Sequence, residues 1–203
     1  EVWMSAASHE SVSALLAADP AAIEERMCGF LVAHGVVVEP GPARGTALRP
    51  ALWFDGAPAL ARAPVDGETI VAGGREWRVI ETGGHCRGPL CLHDAAGGLL
   101  VSGDQVLPTI SPNVSVISAR PEADPLRDFL ASLERLAACT EDTIVLPSHG
   151  RPFRGLHGRL ADVRDHHLRQ LEELRRACAE PRTAFALLPV LFGRPLRGFH
   201  RVL

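Results

Sequence analysis

Three apolar runs in this chain each end in a Gly- or Pro-assisted turn that presents a metal-ligating side chain. The turns are Thr82-Gly83-Gly84-His85, Val101-Ser102-Gly103-Asp104 and Leu146-Pro147-Ser148-His149-Gly150. Singly, each has an ordinary explanation: a hydrogen-bonded His in a turn, an Asp in a turn or helix cap, or a plain loop. Together, after three strand-like segments, they describe one site. Two imidazoles and a carboxylate suit a divalent transition metal of catalytic type, with coordination positions left for water or substrate. The chain therefore reads as a metal-dependent hydrolase.

The bulk properties agree with one α/β domain spanning 1–203. An apolar fraction of 46% in 203 residues supports a sizeable core, and 19 Gly with 16 Pro imply many turns rather than a helical bundle. The formal charge of -3 argues against a nucleic-acid or membrane surface. No apolar stretch approaches the roughly 20 residues of a membrane span, and no signal-peptide pattern opens the chain. The five Cys are odd in number and form no CxxC, as expected of reduced thiols in a cytoplasmic protein. The expected partner is a small-molecule substrate, and the sequence does not set an oligomeric state.

Glu1–Met4 reads as a strand and Glu10–Ala18 as a short helix. A second helix starts at Asp19-Pro20, with Asp19 as N-cap, an Ile23/Met27/Phe30/Leu31 stripe, and Gly35 at its end. His34, in its last turn, suits a capping role. The Pro-, Gly- and Ala-rich stretch 38–66, containing Trp53-Phe54, reads either as a substrate-side flap or as a surface loop. Strands follow at Thr69–Val71, Trp77–Ile80, Leu90–His93 and Leu99–Val101, the last two joined by a hairpin turn at Asp94–Gly98. Pro125–Ala138 has helical periodicity and Thr143–Leu146 reads as a buried strand. Arg159–Cys178 and Thr183–Leu191 are helices in a helical portion covering about 154–203. Cys28, Cys139 and Cys178 fall in helical patterns and read as core. His166-His167 point about 100° apart on a helix and so read as a packed or surface pair.

His85 precedes the Leu90–Val101 hairpin and Asp104 follows it, and their midpoint falls at Asp94–Ala95. Closing the hairpin would bring both to one sheet edge, where His149 can join them from another strand end.

These residues resemble the metallo-β-lactamase superfamily, in particular its glyoxalase-II-like hydrolase branch. The Thr82–Gly88 segment is similar to TPGHSPG, Leu100–Asp104 to LFSGD and Leu146–Gly150 to LPGHG. The Gln105–Pro108, Ile110–Asn113 and Arg154–His157 runs resemble a subgroup of these hydrolases. The resemblance implies an αββα sandwich and a centre of two zinc ions, with iron or manganese as alternatives. His85 would bind one ion, Asp104 would bridge both, and His149 would bind the other. A metal-bound water would attack an ester or thioester, with Asp104 as the catalytic carboxylate. A mononuclear-iron oxidoreductase and a non-catalytic, metal-poor scaffold are the alternatives.

The family's HxHxDH motif is absent from residues 1–203. With a first residue other than Met and a C-terminus lacking a cap, the sandwich is expected to be incomplete at both ends, and this fragment inactive alone. Gly83 and Arg87 stand where Pro is common in relatives. Arg87 is a candidate substrate-binding residue for an anionic group, or an exposed Arg on a turn. Cys86 is a packed small side chain or an adventitious thiol ligand. Pro108–Asn113 reads as a substrate rim or a rigid connector.

Overall fold

A computed structural model of the protein describes residues 1–38 and 56–192. In chain order the elements are β1 (Val2–Trp3), α1 (Ala6–Ala17), α2 (Pro20–Ala33), β2 (Leu60–Arg62), β3 (Thr69–Ala72), β4 (Arg75–Glu81), β5 (Leu90–Asp94), β6 (Leu99–Gly103), α3 (Pro125–Leu136), β7 (Ile144–Pro147), α4 (Leu156–Ala177) and α5 (Ala184–Phe192). Trp53-Phe54 and most of the 38–66 stretch lie outside the described residues, as does His200.

Strands β3 to β7 form one sheet in sequence order, and β1 and β2 form a separate parallel pair. Antiparallel pairing joins β3 to β4, β4 to β5 and β5 to β6, and β7 adds parallel to β6. It follows that β4, β6 and β7 run in one direction and end at one edge of the sheet. A parallel β6–β7 pair needs a crossover, and α3 lies within it.

Strand alternation sends Ile80, Cys91, Leu100 and Val145 to one face, where they are buried. Helix α3 covers that face with Phe129, Leu133 and Leu136, and α4 with Leu156, Leu160 and Val163, in a single cluster that includes Val106 and Cys139. Asp124 caps α3 by accepting from the Arg127 N–H at 3.0 Å, and Pro125 opens the helix. Burying an aromatic and five aliphatic side chains against the sheet, at about 1.5–3 kcal/mol each, is what fixes the helical layer.

Asp19 caps α2 as expected, and His34 closes it, its Nδ1 lying 2.7 Å from the Phe30 carbonyl. Helix α1 starts four residues before the expected Glu10 because Ser5 caps it, accepting from Ser8 N–H at 3.0 Å. The long C-terminal helix likewise starts at Leu156, whose burial draws three extra residues into α4. Among the cysteines expected in the core, Cys139 is buried, Cys28 is half-buried and Cys178 is exposed at the end of α4. No described helix is long and apolar enough to cross a membrane.

Candidate metal centre

His85, Asp104 and His149 follow β4, β6 and β7, the three strands that end at the same edge. The hairpin that was expected to bring the first two together has a different centre. Leu92 pairs with Val101 and Asp94 with Leu99, so the hairpin is centred between Ala96 and Gly97, not at Asp94–Ala95. In that register Asp104 lies opposite Pro89. His85 reaches it because it sits at the tip of the β4–β5 connection, whose ends are the paired Glu81 and Leu90.

That connection is fastened along its length. Thr82 N–H donates to Pro89 O at 2.8 Å, and Gly83 N–H donates to the buried Ser132 hydroxyl at 2.8 Å. Gln105 Nε2 donates to Gly83 O at 3.1 Å, and Ser5 Oγ donates to Gly88 O at 2.5 Å. Gly84 has φ +99° and lies flat on α3: a Cβ there would come 2.3 Å from Phe129 Cβ and 2.6 Å from Pro125 O. Only glycine allows this approach. Gly103, at φ +55°, ends β6 beside a register shift against β7, and the turn it begins carries Asp104.

The result is a carboxylate between two imidazoles. His85 Nε2 lies 3.4 Å from Asp104 Oδ2, and His149 Nε2 lies 3.5 Å from Asp104 Oδ1. The other nitrogen of His85, Nδ1, is 2.8 Å from the Asn113 carbonyl. A carbonyl only accepts, so Nδ1 carries a proton, and in the neutral ring Nε2 turns a lone pair toward Asp104. Two acceptor atoms thus face each other, an arrangement a cation between them satisfies. Ser148 Oγ donates to Asp104 Oδ1, and Ser148 N–H donates to Gly103 O at 3.0 Å. His149 is the looser imidazole, 74% exposed against 30% for His85.

The spacing of these donors is compatible with metal ligation. Two atoms bound to one tetrahedral zinc at about 2.0–2.1 Å stand roughly 3.3–3.4 Å apart, close to both separations observed. Each Asp104 oxygen faces a different imidazole. Among the described residues no group of three or more His, Cys, Asp or Glu side chains surrounds a single ion position. Each ion would take two donors from this set, fewer than the three or four usual for zinc.

The remaining candidates are placed as follows. Arg87 pairs with Glu10 Oε2 on α1 at 2.8 Å. With His85, Arg120 and Arg135 it lines a cleft of about 560 Å³ that opens beside the loop. Cys86 is exposed as a residue, and partial burial followed by the Asp104 charge raises its thiol pKa, which keeps it neutral. His167 is half-buried and packs edge-on to Phe129 at 5.5 Å, while His166 beside it is exposed, so the pair is part packed and part surface. His9 meets Pro58 O, and His157 meets Cys139 O and Glu141. Sequence reasoning missed the Asn113 carbonyl, the Ser148 hydroxyl and the fastening of the loop by Ser132 and Gln105. Backbone acceptors leave no trace in side-chain identity.

Residues 29–149 match the metallo-beta-lactamase superfamily, and the chain belongs to it. A beta-lactamase domain protein from Burkholderia ambifaria is 37% identical, with a TM-score of 0.78, over 94% of this chain and 53% of that one. A metallo-beta-lactamase family protein from Thermus thermophilus is 28% identical, with a TM-score of 0.73, over 95% of this chain and 62% of that one. The acyl-coenzyme A thioesterase MBLAC2 of Homo sapiens is 34% identical over 91 residues, which are 43% of this chain and 30% of that protein. The chain therefore spans about half to three-fifths of these solved relatives, and the match covers under a third of the curated one.

Proposed function

We propose that His85, Asp104 and His149 form part of a binuclear zinc centre that hydrolyses a thioester or ester of a small acyl substrate, in the manner of the glyoxalase-II-like branch. The observation that carries this reading is the bridging geometry of Asp104, one oxygen toward each imidazole at 3.4 and 3.5 Å. The 34% identity to an acyl-coenzyme A thioesterase favours a thioester among acyl substrates. Zinc bound there would supply an activated water at neutral pH and polarise the acyl carbonyl.

The chain's own residues would do the holding. His85, its Nδ1–H engaged by Asn113 O, offers Nε2 in one fixed tautomer. Asp104 would reach both ions and orient the attacking water through its oxygens. His149 closes the far side. The cleft beside His85 would admit the acyl group, with Arg87 near its wall to meet an anionic group if it leaves Glu10. Two donors per ion from this set leave each coordination sphere short, so further donors are required. The resemblance assigns them to an HxHxDH segment.

Elemental analysis tests the proposal on residues 1–203 and on a longer chain carrying such a segment. The expected result is two zinc ions per longer chain, lost on Asp104→Ala, with weak binding by residues 1–203 and thioester turnover only in the longer chain. Tight binding of two zinc ions by residues 1–203 would refute the need for further donors. A single iron would move the chemistry to oxidation, and no metal in either chain would leave a scaffold.

A further inference from the structure

The segment between Asp104 and α3 is tied to α4 by an unusual use of two polar side chains. Arg159 Nε donates to Leu107 O at 2.7 Å and its Nη2 donates to Ile110 O at 2.8 Å. The guanidinium therefore directs a fork of donors at two backbone carbonyls, and no ion pair to Arg159 occurs among the described residues. Eight residues along the same helix, His167 Nε2 lies 2.9 Å from Ser111 Oγ while its ring packs on Phe129. Positions 159 and 167 are about two helical turns apart and share a face. Together they grip Leu107, Ile110 and Ser111 from one side.

What this segment delivers is the Asn113 carbonyl, two residues beyond Ser111, which accepts from His85 Nδ1 at 2.8 Å. The Asn113 side chain is held in turn by Ser115 Oγ, which donates to Oδ1 at 2.8 Å. The segment is anchored inside by Val106 and Leu107, both buried, and Pro108 packs closely on Gly150 next to His149. A chain of contacts thus runs from α4, through residues 107–113, to the outer nitrogen of His85. Both members of the α4 grip are about 50 residues or more from the segment in sequence, so the contacts are tertiary.

We propose that Arg159 and His167 are positioning residues: by holding residues 107–113 they set the Asn113 carbonyl that fixes His85 in its Nδ1–H tautomer, with Nε2 facing Asp104. The inference rests on the metal-centre reading for its purpose, but its structural content is measurable without metal. An imidazole free to exchange tautomers presents Nε2 as an acceptor only part of the time. Outer partners that remove this freedom raise metal affinity by about 10- to 100-fold in characterised sites.

The test is the tautomer of His85, read from ring nitrogen–proton correlations in the full 203-residue chain labelled with 15N-histidine and assigned with His85→Gln. Arg159→Met keeps the aliphatic stem and loses both donors, and His167→Phe keeps the ring on Phe129 and loses the link to Ser111. The wild type is expected to show the Nδ1–H form alone, and both variants a mixture of tautomers. Ser111→Ala, which removes one hydroxyl and no packing, gives a smaller shift in the same direction and decides the question if either larger change prevents folding. An unchanged Nδ1–H signal in the folded variants, or an Nε2–H form in the wild type, overturns the proposal. Zinc titration reads the consequence, with an affinity for Arg159→Met about 10-fold below wild type. Unchanged affinity alongside a shifted tautomer would also overturn the positioning role. Absence of zinc binding even by a longer wild-type chain carrying the HxHxDH segment would defeat the metal reading alone and leave the tautomer result standing.

Discussion

The Ser148 hydroxyl donates to Asp104 Oδ1, the same carboxylate oxygen that faces His149 Nε2 at 3.5 Å. Because Ser148 N–H also donates to Gly103 O, one residue staples the end of β7 to the end of β6 through both its backbone and its side chain. A hydrogen bond to an ionised group contributes about 1.5–3 kcal/mol where it is shielded, and less where, as here, water reaches it. Ser148→Ala and Asp104→Ala should therefore be coupled. In a double-mutant cycle by urea unfolding, we expect an interaction of about 1 kcal/mol. Purely additive losses would show that the hydroxyl does not hold the carboxylate.

Gly84 offers a sharper test of how the His85 loop is held. Its φ of +99° disfavours any L side chain, and a Cβ would overlap Phe129 and the Pro125 carbonyl, both belonging to α3. The obstacle includes backbone, so no rotamer change can relieve it. Overpacking and left-handed strain each cost about 1–3 kcal/mol. Gly84→Ala should lose about 3 kcal/mol in urea unfolding, whereas Gly98→Ala, with φ +63° but open space around it, should lose only the conformational part, about 1 kcal/mol. Equal losses at the two positions would mean that the loop does not press on α3.

The convergence of the three side chains was legible in the sequence because strand ends are. His85, Asp104 and His149 each follow an apolar run and a turn residue, and the strand directions put those three ends at one edge of the sheet. The hairpin midpoint pointed to the right pair through the wrong register. His85 is itself the tip of a connection, so that loop closure and not the facing strand brings it in. Strand β2 was hidden because it has three residues, and its partner β1 lies nearly sixty residues away. Ser5 was passed over as a cap since its second bond, to Gly88 O, is a tertiary contact. The grip of Arg159 and His167 on residues 107–111 was invisible for the same reason. Helix periodicity finds a buried face, but it cannot say which polar residue on the flank of that face meets a distant loop.

The pH dependence of stability should separate two neighbours on β5. Strand alternation sends His93 and Asp94 to opposite faces, and both have lowered pKa values for different reasons. For Asp94 the Gly97 N–H, donating at 2.7 Å, is the main cause, followed by the Arg75 guanidinium at 2.7 Å. For His93 the cause is burial, which disfavours the charged ring, and its Nε2 has no hydrogen-bond partner. A depressed folded value means that the unfolded chain takes up its proton first as pH falls. The stability due to Asp94 is therefore complete above the ordinary carboxylate value of 3.8 and is lost below it. That due to keeping His93 neutral is complete above 6.5 and is lost below that value. Asp94→Asn should destabilise at pH 7, with the penalty shrinking as pH falls below 3.8. His93→Leu should leave the Asp94 window untouched and flatten the decline below pH 6.5, so that the variant gains on the wild type as the solution is acidified. Urea midpoints measured from about pH 7.5 to about pH 3 on the three proteins check both windows. A His93→Leu curve parallel to wild type below pH 6.5 would show that His93 is not held neutral.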